Sequence, residues 1–82
     1  MLNDEELSEE VGRRVRTLRN RRGMRQEDLA IAAKLRRTHL NQIEKGFGGA
    51  SKINTLYAIA TALQVTLADL LDNVGIVPDK KG

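Results

Sequence analysis

The chain has 82 residues, with 14 Lys and Arg against 11 Asp and Glu for a net charge of +3, and it contains no Cys. A chain of this length forms one small domain, and the absence of Cys excludes disulfides and thiolate metal sites. The single His cannot by itself build a metal site or a nucleophile–base pair, so we expect no enzymatic activity, no metal and no cofactor.

Charge is unevenly distributed along the sequence. Residues 1–10 carry five acidic and no basic side chains, whereas residues 11–52 carry twelve basic and three acidic ones. Twelve minus three leaves a local excess of nine positive charges in the middle of the chain. Such an excess predicts a surface that binds a polyanion. The alternative is a solvated basic face that binds nothing.

Apolar runs are short throughout the sequence. The longest are far below the ~20 residues that a transmembrane helix needs, and the N-terminus lacks the pattern of a signal peptide. We therefore expect a cytoplasmic protein without membrane contact. A single small domain also leaves no room for a large pocket, so we expect no small-molecule ligand.

Helix one is predicted over residues 4–22. Asn3 and Glu6 have the spacing of a capping box, although a later start, after Ser8, is also compatible with the sequence. Gly23 is expected to end the helix in the left-handed conformation. Four apolar residues recur at the spacing of one buried helix face, namely Leu7, Val11, Val15 and Leu18.

Helices two and three are predicted over residues 26–34 and 37–45, joined by a tight turn. Glu27 and Asp28 suit the positive start of helix two. In helix three, at ~100° per residue, Leu40 and Ile43 point to one side. The other side, within roughly 140°, carries Arg37, Thr38, Asn41, Gln42 and Lys45. A helix with one aliphatic and one polar side suits a groove in nucleic acid.

Two further helices are predicted, over residues 52–63 and 67–72. Ser51 is expected to cap the first, and Thr66 with Asp69 the second. The apolar face of the fourth helix is expected to consist of Ile53, Leu56, Ile59, Ala60 and Leu63. No segment alternates as a strand does, so the predicted fold class is all-α with five helices. Residues 1–77 form the predicted domain and residues 78–82 a disordered tail.

The order and spacing of these residues resemble the lambda-repressor-like domain in its XRE or Cro-type helix-turn-helix branch. The similarity covers about residues 9–72. It depends on three segments taken together: Gln26 to Ala30, Ile43 to Gly46, and Leu56 to Leu63. Further matching residues are Arg19, Gly23, Met24, Leu40, Thr55, Val65 and Leu70. Stand-alone bacterial and phage regulators and restriction–modification controllers are proteins of this kind.

The resemblance implies sequence-specific binding of double-stranded DNA and transcription regulation, because the family places its second unit helix in the major groove. Carried over by position, the base-contacting residues are Arg37, Thr38, Asn41 and Gln42. Arg pairs with guanine O6 and N7, and Asn or Gln with adenine N6 and N7. For Arg37 a phosphate contact is the alternative, and for Asn41 and Gln42 a solvated helix face.

Phosphate contacts are expected on both sides of this helix. By resemblance they come from Arg25, Gln26, Arg36 and Lys45, with the start of helix two binding phosphate through its free N–H groups. Lys45 could instead neutralise the negative end of helix three. A structural ion pair between Arg19 and Glu44 is also implied.

Some positions depart from the family pattern. Lys34 stands where Gly is usual in the turn, so a long side chain is expected in a left-handed conformation at some cost. Arg36 replaces the usual small N-cap of helix three, which leaves that helix end uncapped unless a phosphate supplies the acceptor. Gln64 stands where Gly often follows helix four.

The resemblance also implies a two-fold homodimer on a pseudo-palindromic operator. The expected dimer interface consists of Tyr57, Leu71, Val74 and Ile76; the alternative is that such residues only close the core. A second hypothesis is an antitoxin or adaptor whose main partner is another protein.

Overall fold

The computed structural model describes residues 3–47 and 52–72. Within these ranges the chain forms five helices and no strand, so the predicted all-α fold is confirmed. The helices are α1 (Asp4–Arg21), α2 (Gln26–Ala33), α3 (Arg37–Glu44), α4 (Ile53–Ala62) and α5 (Leu67–Leu70). Each ends one or two residues before the predicted end, and α4 also starts one residue later than predicted. Helix ends are the least sharply defined part of a helix.

Reciprocal hydrogen bonds between a cap and the third helical residue start two of the helices. At α1 the Glu6 N–H donates to Asn3 Oδ1 at 2.8 Å, and the Asn3 N–H donates to Glu6 Oε1 at 3.0 Å. Thr66 and Asp69 exchange the same bonds at α5, at 2.9 and 3.2 Å. Both capping boxes are as predicted, and the first sets the start of α1 before Ser8 rather than after it.

Left-handed residues follow four of the helices, and the one after α3 is Gly46, with φ +84°. Gly23 has φ +68° after α1, Lys34 has φ +59° after α2, and Gln64 has φ +61° after α4. A residue with a Cβ pays roughly 1–2 kcal/mol for this conformation, so Lys34 and Gln64 adopt it at a cost. At the start of α4 the N-cap position is Lys52, which makes no side-chain capping bond. Ser51, the predicted cap, lies outside the described residues.

Aliphatic side chains from all five helices form one core. Its members are Val11, Val15, Leu29, Ala30, Ala33, Leu40, Ile43, Leu56, Ile59, Ala60, Leu63 and Leu70. Three residues predicted on buried faces are not members of this core. Leu18 is partly buried and packs against it, whereas Leu7 is 38% exposed and Ile53 is 59% exposed. Leu7 and Ile53 both lie in the first four residues of their helices. For Leu7, the end of α3 meets α1 only further along, at Glu9 and Gly12.

The crossing of α1 over α3 is unusually close. A Cβ added to Gly12 would lie 2.2 Å from the Ile43 carbonyl oxygen and 2.9 Å from that of Glu44. Because any side chain would collide with backbone, glycine at this position allows α1 to pack directly on the last turn of α3. Helix α2 packs on both α3 and α4.

Candidate nucleic-acid interface

Helices α2 and α3 form a two-helix unit with a turn of three residues, 34–36. The left-handed Lys34 reverses the chain, and the Leu35 N–H donates to the Ala30 carbonyl at 2.8 Å. Ala30 is 3% exposed, and its small side chain lets the next segment approach α2 closely. These local contacts set the angle at which α3 leaves α2.

The eight residues of α3 divide into a buried flank and an exposed flank. The buried flank holds Leu40, Ile43 and Glu44, which are at most 4% exposed. The exposed flank carries four polar residues that the sequence predicted, namely Arg37, Thr38, Gln42 and Lys45, the last just beyond the helix end. Asn41, the fifth, is only half-exposed. A row of exposed donors on a firmly packed helix is what contact with a groove requires.

Arg19 and Glu44 join α1 to the buried flank of α3. The Arg19 guanidinium donates from Nε to Glu44 Oε2 at 2.7 Å and from the terminal nitrogen Nη2 to Oε1 at 3.0 Å. A third donation, from Nη1 to the Met24 carbonyl at 2.8 Å, ties in the chain before α2. The two side chains are 13% and 2% exposed. Such a bidentate, desolvated pair is geometrically specific, so it fixes α3 relative to α1.

Gln26, the first residue of α2, also reaches this buried pair. Its amide nitrogen lies 3.2 Å from Glu44 Oε1 and 3.2 Å from Asn41 Oδ1. The structure therefore brings Gln26 together with Asn41 and Glu44, an arrangement that was not predicted from the sequence. No local pattern reveals it, because the partners lie 15 and 18 residues apart.

Three of the predicted phosphate-binding residues, Arg25, Arg36 and Lys45, are exposed. Arg25 pairs loosely with Asp28, Nε to Oδ2 at 3.2 Å. This hydrogen bond, with the charge attraction between the partners, raises the pKa of Arg25, and hydrogen bonds from Arg25 lower the pKa of Asp28. Arg36 occupies the N-cap position of α3 without a side-chain capping bond. The first N–H groups of α3 therefore have no side-chain cap, as the sequence indicated.

The predicted dimer residues differ in their exposure to solvent. Tyr57 on α4 is 63% exposed, whereas Leu71 is half-buried and packs against the core. Val74 and Ile76 lie outside the described residues. For Leu71 the contact with the core matches the alternative that the sequence analysis left open.

In the described part of the chain, no group of three or more His, Cys, Asp or Glu side chains is arranged to hold a metal ion. Of the helices there, none has the length and apolar character that crossing a bilayer requires.

In the described ranges, five helices around one core, with a two-helix unit that presents a polar flank, define a helix-turn-helix domain. The family model for helix-turn-helix proteins of the HTH_3 type matches residues 15–70. The chain belongs to this family, which is the lambda-repressor-like, XRE type of helix-turn-helix protein, and the resemblance found in the sequence is confirmed.

Several known proteins are similar to it. The HTH-type transcriptional regulator DdrOP3 of Deinococcus deserti is 36% identical over 67 residues, which is 82% of this chain. The chain spans about half (51%) of the length of that relative. The crystal structure of the restriction–modification controller protein C.AhdI from Aeromonas hydrophila has a TM-score of 0.73 and 30% identity, covering 77% of this chain and 94% of that one. The clp gene regulator ClgR from Corynebacterium glutamicum has a TM-score of 0.74 and 29% identity, covering 79% and 83%.

Proposed function

We propose that this chain is a sequence-specific, double-stranded DNA-binding transcription regulator that reads the major groove with α3. The exposed flank of α3 is the observation that carries the proposal, because its polar side chains project from a helix whose other flank is buried. A helix is about 10–12 Å wide and the major groove about 12 Å, so the two fit. The relatives named as a transcriptional regulator and as a restriction–modification controller support the same function.

Base contacts are assigned to Arg37, Thr38, Asn41 and Gln42. Arg37 begins the helix and is exposed, so its guanidinium can donate two hydrogen bonds to guanine O6 and N7. Each good bidentate pair discriminates against the wrong base by about 1–3 kcal/mol. Gln42 is exposed one turn further along and is free to pair with adenine.

Phosphate contacts are assigned to Arg25, Gln26, Arg36 and Lys45. For Gln26 the contact comes from the backbone N–H at the start of α2, since its side chain is bonded to Glu44 and Asn41. A phosphate would also supply the acceptor that the start of α3 lacks. Such contacts set the position of the protein on the duplex without reading sequence.

The proposed regulator is a cytoplasmic homodimer that acts without catalysis, metal, cofactor or small-molecule ligand. A two-fold dimer would bind a pseudo-palindrome whose half-sites are about 34 Å apart. Exposed Tyr57 is the best-supported interface residue, with Leu71, Val74 and Ile76 expected beside it.

Selection of binding sites from randomised duplexes, followed by titration at two salt concentrations, tests the proposal. The double variant Arg37→Ala/Gln42→Ala should lose the selected sequence and keep only weak, salt-sensitive binding. Its matched control is Arg22→Ala/Gln64→Ala, which removes the same residue types outside α3, at a pair that is hydrogen-bonded in the fold. The control should retain specific binding. Undiminished specific binding by the α3 double variant would contradict the groove assignment.

A second candidate function is that of an antitoxin or adaptor whose main partner is another protein. Two large apolar side chains one turn apart on α4 favour it, because Ile53 is 59% exposed and Tyr57 is 63% exposed. If the purified chain binds no duplex at low ionic strength, this candidate replaces the first.

A further inference from the structure

A chain of side-chain hydrogen bonds runs from the buried interior to half-exposed Asn41, beside the exposed flank of α3. It begins at the Arg19–Glu44 pair, passes through the Gln26 amide, and ends at Asn41. Both links of Gln26 measure 3.2 Å, and both start from the same amide nitrogen. Asn41 is thus the one member of the predicted base-contacting set whose side chain is bonded to the fold in the described residues.

The chemistry of these groups decides which way each amide faces. A carboxylate such as Glu44 only accepts hydrogen bonds, so Gln26 must turn its NH₂ group toward it. The second hydrogen of that NH₂ group is then directed to Asn41, which must offer its oxygen. The nitrogen of Asn41 is consequently the end of the amide left for a partner outside the protein.

Burial of Glu44 prevents the amides of Gln26 and Asn41 from reversing. The Glu44 side chain is 2% exposed and held by two bonds from Arg19, so it cannot turn away to accommodate a reversed amide. Reversal of Asn41 alone would set two NH₂ groups against each other at a half-buried position and leave a donor unpaired. Gln42, by contrast, is exposed and can present either end of its amide.

We propose that Asn41 is a specificity-determining residue that offers only hydrogen-bond donors to the groove, and that Gln26 is its positioning residue. Asn41 then selects a base edge that carries acceptors. Guanine fits best, since N7 and O6 both accept, whereas the usual pairing of Asn with adenine needs an acceptor for N6 as well as a donor for N7. This inference rests on the proposed function, because it requires α3 to lie in the major groove.

The sharpest test compares the sequence preferences of the wild type and Asn41→Asp. Aspartate has nearly the same shape and still accepts from Gln26, but its outward atom is an acceptor. One base pair in each half-site should change from guanine to cytosine, whose N4 donates. The relative affinity for the two bases should move by about 10-fold or more. Preference is measured as a ratio within each variant, so the general loss of affinity from the added charge cancels.

The matched control is Gln42→Glu, which adds the same charge on the same helix. It should change preference at a different base pair and leave the guanine preference assigned to Asn41 intact. A second variant, Gln26→Ala, releases Asn41 from its partner. Adenine should then be tolerated beside guanine at that one base pair. A cooperative urea transition in the loss of α-helix reports that the domain remains folded, although its midpoint falls because Glu44 loses a hydrogen bond.

Two results would overturn the inference. One is an equal loss of affinity for every sequence in Asn41→Asp, which would make Asn41 a phosphate contact. The other is a wild-type preference for adenine at the base pair that responds to Asn41→Asp. Failure of the proposed function itself looks different, since the wild type would then select no sequence at all.

Discussion

The buried flank of α3 holds Leu40, Ile43 and Glu44, and the exposed flank holds Arg37, Thr38 and Gln42, although the two sets alternate along the same eight residues. On the buried flank even the charged residue is fully paired, whereas the exposed flank presents donors to solvent. Stability and recognition therefore depend mainly on different sides of one helix. Substitutions on the exposed flank should therefore leave stability almost unchanged, whereas the buried flank can affect recognition through the Gln26 link to Asn41.

The two Arg–carboxylate pairs near this helix differ in the same way. Arg19 and Glu44 are 13% and 2% exposed and lie 25 residues apart, whereas Arg25 and Asp28 are 78% and 39% exposed and lie within one turn. A buried pair is costly to break because its surviving member stays uncompensated. An exposed pair contributes little, and its arginine remains available to a phosphate.

The largest expected effect comes from breaking the buried flank with Arg19→Ala. The Glu44 carboxylate would be left buried without its cation, so the free energy of unfolding should fall by about 3–5 kcal/mol, much of what a small domain has. Urea unfolding with linear extrapolation measures the change. Arg13→Ala is the control, because it breaks an exposed pair with Glu10 and should cost about 1 kcal/mol or less. Equal losses in the two variants would refute a structural role for the buried pair.

The next largest effect is expected from Gly12→Ala, which disturbs the same flank from the α1 side. The new Cβ would meet the Ile43 carbonyl oxygen, and separating α1 from α3 should cost about 3 kcal/mol or more. The control is Asn20→Ala at an exposed site of α1, which should be nearly neutral. If Gly12→Ala instead raised stability by the ~1 kcal/mol that helix propensity alone predicts, the close crossing would be wrong.

Lys45→Ala changes only the exposed side, so it should weaken DNA binding and leave stability almost unchanged. Because the proposed dimer loses one phosphate contact from each protomer, the slope of log affinity against log salt should become shallower by about two units. The free energy of unfolding should stay within about 0.5 kcal/mol. Titrations of the selected duplex at several salt concentrations and urea unfolding supply the two measurements. A loss of stability with an unchanged salt slope would mean that Lys45 only neutralises the end of α3.

The smallest effect is expected from Asp28→Asn in the exposed pair. Because the pKa of Asp28 is lowered in the folded protein, mainly by its hydrogen bonds with Arg25, the ionised carboxylate stabilises the fold slightly. This contribution is fully present above the ordinary carboxyl pKa of about 4 and disappears as the pH falls through the lower folded value. Unfolding of both proteins between pH 7 and 2 should show a small difference that vanishes in acid. A difference that grew on acidification would contradict the sign.

Much of the fold follows from residues close together in the chain. The capping boxes at Asn3 and Thr66 and the stop at Gly23 were predicted, because each depends on bonds within a few residues of the chain. The left-handed Lys34 was predicted from the family pattern, in which Gly is usual at that position. The division of α3 into a polar and an apolar side was also predicted, since it follows from helical geometry alone. The ion pair of Arg19 with Glu44 came from resemblance to a family and not from any local pattern.

The helices, the basic middle of the chain and the polar side of α3 could therefore be predicted from the order of the residues. The folded chain was needed to show that Leu7 and Ile53 stay exposed, that Gly12 touches the backbone of α3, and that Gln26 bonds to both Glu44 and Asn41. The reason is the separation along the chain of the residues that determine each feature. Helix formation depends on neighbours three or four residues away, whereas the direction in which the Asn41 amide faces depends on where α1 and α2 cross α3.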